Sequence, residues 1–163
     1  VQESDALKGW AVKNRSLFDG VEFDRRWRKQ GEMGGSENDI YYDETTGRVW
    51  KRNRIQVFHL SWRQFFDRML LHNYLFPEAG IRFEGVLEHK GELCGVFSQP
   101  DIVATRGAWR DETEPLMRAR GYRRRSSDDY ESSLLTVEDL HSGNALIDND
   151  GNFVVIDPAI YPR

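Results

Sequence analysis

The chain has 163 residues and a net charge of −4, enough to bury one sizeable core or two small lobes but too little for two independent domains. The acidic balance argues against a general polyanion binder. The single cysteine, Cys94, excludes an internal disulfide, and no signal-like or bilayer-length apolar run is visible.

Cytoplasmic residence with no membrane partner is the simple expectation, and the start at Val1 suggests a processed protein or a piece of a larger polypeptide. Residues 1–30 read as an N-terminal extension, with Trp10, Phe18, Phe23 and Trp27 available for burial. A glycine-rich stretch follows, Gly31-Glu32-Met33-Gly34-Gly35-Ser36-Glu37-Asn38. Glycines let a backbone approach a phosphate and aim N–H groups at it, and they equally make ordinary hairpins. A strand over 39–42, a turn from Asp43 to Gly47 and a second strand carrying Lys51 come next. Lys51 stands beside Arg52 and Arg54, and such charge runs are commonly solvated.

Residues 61–76 predict a helix: Ser61 can cap it, and Trp62, Phe65, Phe66, Met69 and Leu70 recur at helical spacing. Pro77 ends it. Asp67, its only acid, points away from the apolar stripe, whereas Asn73 falls near the stripe's centre. Two strands over 81–87 and 93–99, joined by a His89-Lys90-Gly91 turn, are broken at Pro100. A short helix over 112–120 carries Thr113 near its start and Pro115 in its first turn, and Gly121 closes it. Residues 122–130 read as a charged loop or solvent-facing hairpin. Arg118, Arg120, Arg123, Arg124 and Arg125 are the natural place for phosphate or nucleic acid, but the acids that follow offset the local field. A solvated face is the expectation, and nucleic acid is not an expected partner.

The most informative stretch is 137–157, VEDLHSGNALIDNDGNFVVID. Ala145-Leu146-Ile147 and Phe153-Val154-Val155-Ile156 read as two strands, and Asp148-Asn149-Asp150-Gly151 supplies the turn. Such a hairpin brings Asn144 and Asp157 together. One amide and one carboxylate suit Mg²⁺, which prefers hard oxygens, keeps several waters and is usually held by one or two protein oxygens plus substrate phosphates. Asp139, on the loop before Asn144, is placed to accept a proton from an attacking hydroxyl.

The spacing of Asp139, Asn144 and Asp157 resembles the catalytic core of the protein-kinase-like superfamily. The Asp139-Leu140-His141-x-Gly143-Asn144 wording is similar to the DLHxGN loop of the aminoglycoside and choline kinases, and the chain most resembles the compact kinase domains of bacterial and phage polyvalent proteins. The resemblance implies an α+β fold, a minimal kinase-like bilobal arrangement. Its N-lobe, 31–99, would be an antiparallel sheet with one main helix, and 100–163 a reduced C-lobe bearing the catalytic loop. It further implies ATP under Gly34, Gly35 and Ser36, Lys51 on the α/β-phosphates and Gln99 opening the hinge against the adenine edge. Asn144 and Asp157 would hold Mg²⁺, with Asp139 as base. The acceptor would be a protein Ser, Thr or Tyr or a small-molecule hydroxyl. In the family the main helix offers a glutamate to the lysine; this helix has none, and Asp67, Asn73 and Glu37 are the substitutes to consider. Two functions follow: a phosphotransferase, or a nucleotide-binding pseudokinase or interaction module without efficient transfer.

Overall fold

The first residues fold as helix, strand and helix: α1 (Gln2–Lys13), β1 (Leu17–Phe18) and α2 (Gly20–Arg26). The computed structural model describes residues 2–26, 28–29, 38–54 and 61–163, with 28–29 described by backbone alone. Strands β2 (Arg28–Lys29), β3 (Asn38–Asp43) and β4 (Arg48–Asn53) follow, then α3 (Trp62–Leu75), β5 (Arg82–His89) and β6 (Glu92–Pro100). The remainder comprises β7 (Ala104–Gly107), α4 (Arg110–Ala119), β8 (Arg123–Arg124), β9 (Tyr130–Glu131), β10 (Leu135–Glu138), β11 (Ala145–Asp148), β12 (Phe153–Val155) and β13 (Ala159–Pro162). The chain is therefore α+β, as the resemblance implies. Two compact units form, Val1–Asp67 with Ile81–Asp101, and Arg68–Gly80 with Ile102–Arg163.

In the first unit six strands pair in the order β1-β5-β6-β4-β3-β2. The Asp43-to-Gly47 turn forms as expected: the Asp43 carboxylate accepts from the Thr45 N–H and the Thr46 hydroxyl, and its carbonyl accepts from the Gly47 N–H. Strand alternation sends successive side chains to opposite faces. One face collects Phe23, Tyr41, Leu87, Cys94 and Val96, with Phe18 and Trp50 against them. Phe23 meets Tyr41 edge-on at 5.0 Å between centroids, a favoured aromatic geometry. The other face takes Ala11, Trp62, Val86 and Leu93, with Leu7, Phe65, Phe66 and Phe83. Of the aromatics expected to bury in the extension, Phe23 is buried and Phe18 partly so. Trp10 is 46% exposed, tilted against Phe83, and Trp27 lies outside the described residues.

β1 adds to β5 in parallel, a pairing that the sequence does not announce. Gly85 makes it possible: the Ser16 carbonyl accepts from the Val86 N–H at 2.9 Å, and any Cβ at Gly85 would collide with that carbonyl. Strand β6 runs through Pro100, paired with Arg48, rather than stopping before it; proline is tolerated where its missing N–H falls at a strand end. Helix α3 begins with a reciprocal cap, Ser61 Oγ accepting from the Gln64 N–H and Gln64 Oε1 from the Ser61 N–H. Leu70, assigned to its apolar stripe by periodicity, is 63% exposed.

The second unit buries Phe76, Met117, Tyr122, Tyr130, Val137, Leu140, Val155 and Ile160. Its strands form two sheets, β13-β10-β9-β8 and β12-β11-β7. Helix α4 starts two residues earlier than its sequence suggests, because the Glu112 carboxylate accepts the Trp109 N–H while gripping Arg106 with both oxygens. Those Arg106 hydrogen bonds, helped by the Trp109 N–H, hold the Glu112 carboxyl down at about 2. Four of the five clustered arginines meet acids: Arg118 and Arg124 share Glu114, Arg123 meets Glu131 and Arg125 meets Glu138. Arg120 lies over the Phe76 ring. No helix among the described residues is long and apolar enough to cross a membrane.

Candidate active site

In the second unit, buried Val137 and Leu140 anchor the polar loop to the core and leave the side chains at 139 and 141 in solvent. The Leu140 N–H donates to the Asp128 carbonyl and the Asp139 N–H to Asp129 Oδ1, so backbone hydrogen bonds hold the loop on both sides of its bend. Asp139 itself sits at φ 68°. This left-handed conformation costs most L-residues about 1 kcal/mol or more, is tolerated best by Gly, Asn and Asp, and recurs where function dictates backbone shape.

Asn144 reaches back to the same residue, its Nδ2 donating to the Asp139 carbonyl at 3.0 Å and to Asp139 Oδ2 at 3.3 Å. The His141 carbonyl accepts from the N–H groups of both Asn144 and Ala145 at 2.9 Å. The His141 ring completes the loop. Nδ1 accepts the Gly143 N–H at 2.9 Å, which assigns the proton of the neutral ring to Nε2, and Nε2 faces Asp139 Oδ1 at 3.4 Å. Gly143 is required for this packing, since a Cβ there would lie 2.8 Å from His141 Cε1 and 3.0 Å from Nδ1. The sequence signalled a histidine in a catalytic-type loop; it carried no sign that the ring is locked by a glycine two residues on.

The expected hairpin forms after Asn144, with Ala145 opposite Val155 and Ile147 opposite Phe153. Asp148 organises the turn through Oδ1, which accepts from the N–H groups of Asp150 and Asn152. The Asn144 carbonyl accepts from the Ile156 N–H at 2.9 Å, so the backbone brings Asn144 alongside the residue before Asp157. With Nδ2 turned to Asp139, the amide of Asn144 leaves its Oδ1 as an acceptor. Among the described residues no group of three or more His, Cys, Asp or Glu is arranged to hold a metal. One amide oxygen and one carboxylate form a hard, oxygen-only set that fits a largely hydrated Mg²⁺ and does not fit the nitrogen and sulfur preferences of zinc.

The residues expected to meet a nucleotide fall in the first unit. Lys51 is central in β4, paired with Ile40 and Phe97 and only 5% exposed, so it is not a solvated strand-end cation. Gln99, opposite Val49, lies on the same face of the sheet as Lys51 and is 4% exposed. Its Oε1 is buried with no hydrogen-bond partner among the described residues, a costly state for an amide oxygen unless a ligand completes it. Gly34, Gly35, Ser36 and Glu37 lie outside the described residues; β2 and β3, which flank that segment, pair antiparallel.

The acid expected to accompany the lysine is not supplied by Asp67, which is exposed and faces Arg63 one helical turn away at 3.8 Å. Asn73 belongs to the second unit. Glu84 sits on the opposite face of the sheet from Lys51, where its Oε1 accepts the Ser98 hydroxyl at 2.6 Å.

Comparison with curated proteins returned no match. The family model described as the serine/threonine/tyrosine kinase found in polyvalent proteins matches residues 1–163. With that match over its whole length, and with a buried strand lysine and an Asp-to-Asn loop leading into a hairpin, the chain belongs to the polyvalent-protein kinase family.

Proposed function

We propose that this kinase-family chain is an ATP- and Mg²⁺-dependent phosphotransferase that moves the γ-phosphoryl group to a hydroxyl acceptor. The observation that carries the reading is the locked loop: Asp139 at positive φ, its carboxylate flanked by Asn144 Nδ2 and His141 Nε2, and Asn144 held beside the strand that ends at Asp157. Lys51 supplies a buried cation for the α/β-phosphates, and Gln99 opens the hinge segment whose backbone would meet the adenine edge. Gly34, Gly35 and Ser36 complete the nucleotide set. Asn144 and Asp157 offer two oxygens that would hold Mg²⁺, which when bound would supply positive charge to offset that of the phosphates.

Asp139 orients the acceptor hydroxyl and takes its proton as the oxygen–phosphorus bond forms and the bond to the nucleoside diphosphate breaks. Its carboxylate is half-exposed, which leaves an acceptor free to approach. Such chemistry depends mainly on positioning and charge stabilisation, so a small scaffold suffices. The family description names serine, threonine and tyrosine, which favours a protein hydroxyl over a small molecule. Cytoplasmic residence belongs to the same proposal, supported by a lone thiol with no disulfide partner in the chain.

A second reading, a nucleotide-binding module without efficient transfer, is favoured by one observation: helix α3 carries no glutamate, and its one acid, Asp67, is exposed and faces Arg63. Asp139→Asn separates the two. Transfer from γ-labelled ATP to serine, threonine and tyrosine peptides should fall by roughly 10²- to 10⁴-fold, the usual worth of a positioned base, while Mg²⁺–ATP binding persists. A parent protein that binds Mg²⁺–ATP and transfers nothing would establish the binding module instead.

A further inference from the structure

We infer that Glu3 and Ser4, at the start of α1, are positioning residues that hold the first turn of α3 and through it the wall beside Lys51; the inference rests on reading Lys51 as a phosphate ligand. The first N–H groups of a helix have no partner within it. At Trp62 this donor is taken by Glu3 Oε2 at 3.0 Å, from a residue far away in sequence. A carboxylate at that end also complements the helix dipole. The indole N–H of the same tryptophan donates to Ser4 Oγ at 3.0 Å. Trp62 is 7% exposed, so its two donors would otherwise be costly to bury.

Helix α1 is fixed in turn. Ala11 is fully buried in one cluster with Trp62, Leu7 packs against it, and Lys8 pairs with Glu88 of β5 at 2.7 Å. One turn beyond Trp62, Phe65 stacks on Phe97 with centroids 5.1 Å apart and planes 29° from parallel. Phe97 is the β6 residue directly opposite Lys51. Residues paired in this way share a face of the sheet, so a shift of the α3 first turn moves the ring that flanks the lysine. The N-terminal segment thereby does for α3 part of what a glutamate–lysine pair would do: it fixes the helix against the lysine strand from the outside.

The test uses Glu3→Ala/Ser4→Ala, with Glu3→Gln and Ser4→Thr as conservative partners that keep an acceptor. Two readouts are taken on the full chain: amide hydrogen exchange over 62–67 and over 92–100, and the Kd for Mg²⁺–ATP. Exchange over 62–67 should rise about tenfold in the double variant, the scale of one lost hydrogen bond, with 92–100 unchanged. Mg²⁺–ATP should bind several-fold more weakly, and the conservative variants should behave as the parent does. Unchanged exchange over 62–67, or raised exchange with unaltered ATP affinity, overturns the positioning role. If exchange rises over 92–100 as well, the variant has lost more than the contact, and Ser4→Ala alone is judged by the same two readouts. A parent that binds no Mg²⁺–ATP would instead overturn the phosphotransferase reading, and the link to Lys51 with it.

Discussion

Neutralising Asp39 should cost far more stability than neutralising Asp24, although both contact the same arginine. Arg52 follows Lys51 in β4, and its side chain is 4% exposed. Asp39 Oδ2 accepts from its Nε at 3.1 Å and its Nη2 at 2.8 Å, and the Asp39 side chain is 14% exposed. Asp24 Oδ1 accepts from Nη1 at 3.0 Å and from the Tyr41 hydroxyl at 2.9 Å, but its side chain is 48% exposed. Removing one partner of a buried pair costs about 3–5 kcal/mol. Asparagine retains an acceptor and the other aspartate stays, so Asp39→Asn should cost about 2 kcal/mol, or roughly 4–8 °C in Tm for a chain of this size. Water reaches Asp24 and screens it, and Asp24→Asn should cost about 0.5 kcal/mol or less. Urea melts of the two variants at low and moderate salt give both values, and the smaller loss should be the more salt-sensitive. Equal losses, or a loss below about 0.5 kcal/mol for Asp39→Asn, would refute the assignment of the buried charge to the Asp39 side.

Two further outcomes follow from single residues. Cys94 is buried and desolvation pushes its thiol up to about 11; a folded-state value above the ordinary one stabilises the fold below about pH 9 and loses that contribution as pH rises toward 11. Thiol reagents should therefore label Cys94 at neutral pH only at the rate of unfolding, and fast labelling of the native protein would contradict its place in the aromatic cluster. Gly143→Ala should displace the His141 ring and break its hydrogen bond from the residue 143 N–H. Transfer should fall on the order of 10- to 100-fold, the scale of a misplaced catalytic group, with a Tm within about 2 °C of the parent, as expected for an exposed loop. Unaltered transfer would show that the ring has no part in orienting Asp139.

The elements that were legible in the sequence are those whose signals are local. Helix α3 announces itself through the spacing of Trp62, Phe65 and Phe66 and the Ser61 cap, and the β11–β12 hairpin through its Asp-Asn-Asp-Gly turn and flanking β-branched residues. The loop from Asp139 to Asn144 could be placed because its Asp-Leu-His-x-Gly-Asn wording is contiguous in the sequence and resembles that of known kinases. What was not legible depends on partners distant in sequence. β1 is two residues long and exists because Gly85 admits the Ser16 carbonyl. β7, Ala-Thr-Arg-Gly, has no strand pattern of its own and is held by Leu146 and Ile147 of β11. β13 is paired to β10 residue by residue, from Leu135 opposite Pro162 to Glu138 opposite Ala159, a register that no local signal specifies. The burial of Lys51 follows from β3 and β6 on its two sides, and the lysine-bearing run alone reads as solvated.

In the proposed function, Asn144 and Asp157 hold Mg²⁺ for a nucleotide bound by this chain. The most direct test is the change in Tm with millimolar ATP, with and without Mg²⁺, for the parent and for Asp157→Ala. At a ligand concentration a hundred times Kd, linkage predicts about 2.7 kcal/mol of added stability, or roughly 5–10 °C. A Mg²⁺-dependent rise of this order is expected in the parent and should be lost in Asp157→Ala. No rise in the parent, or an equal rise in both, would contradict the proposal.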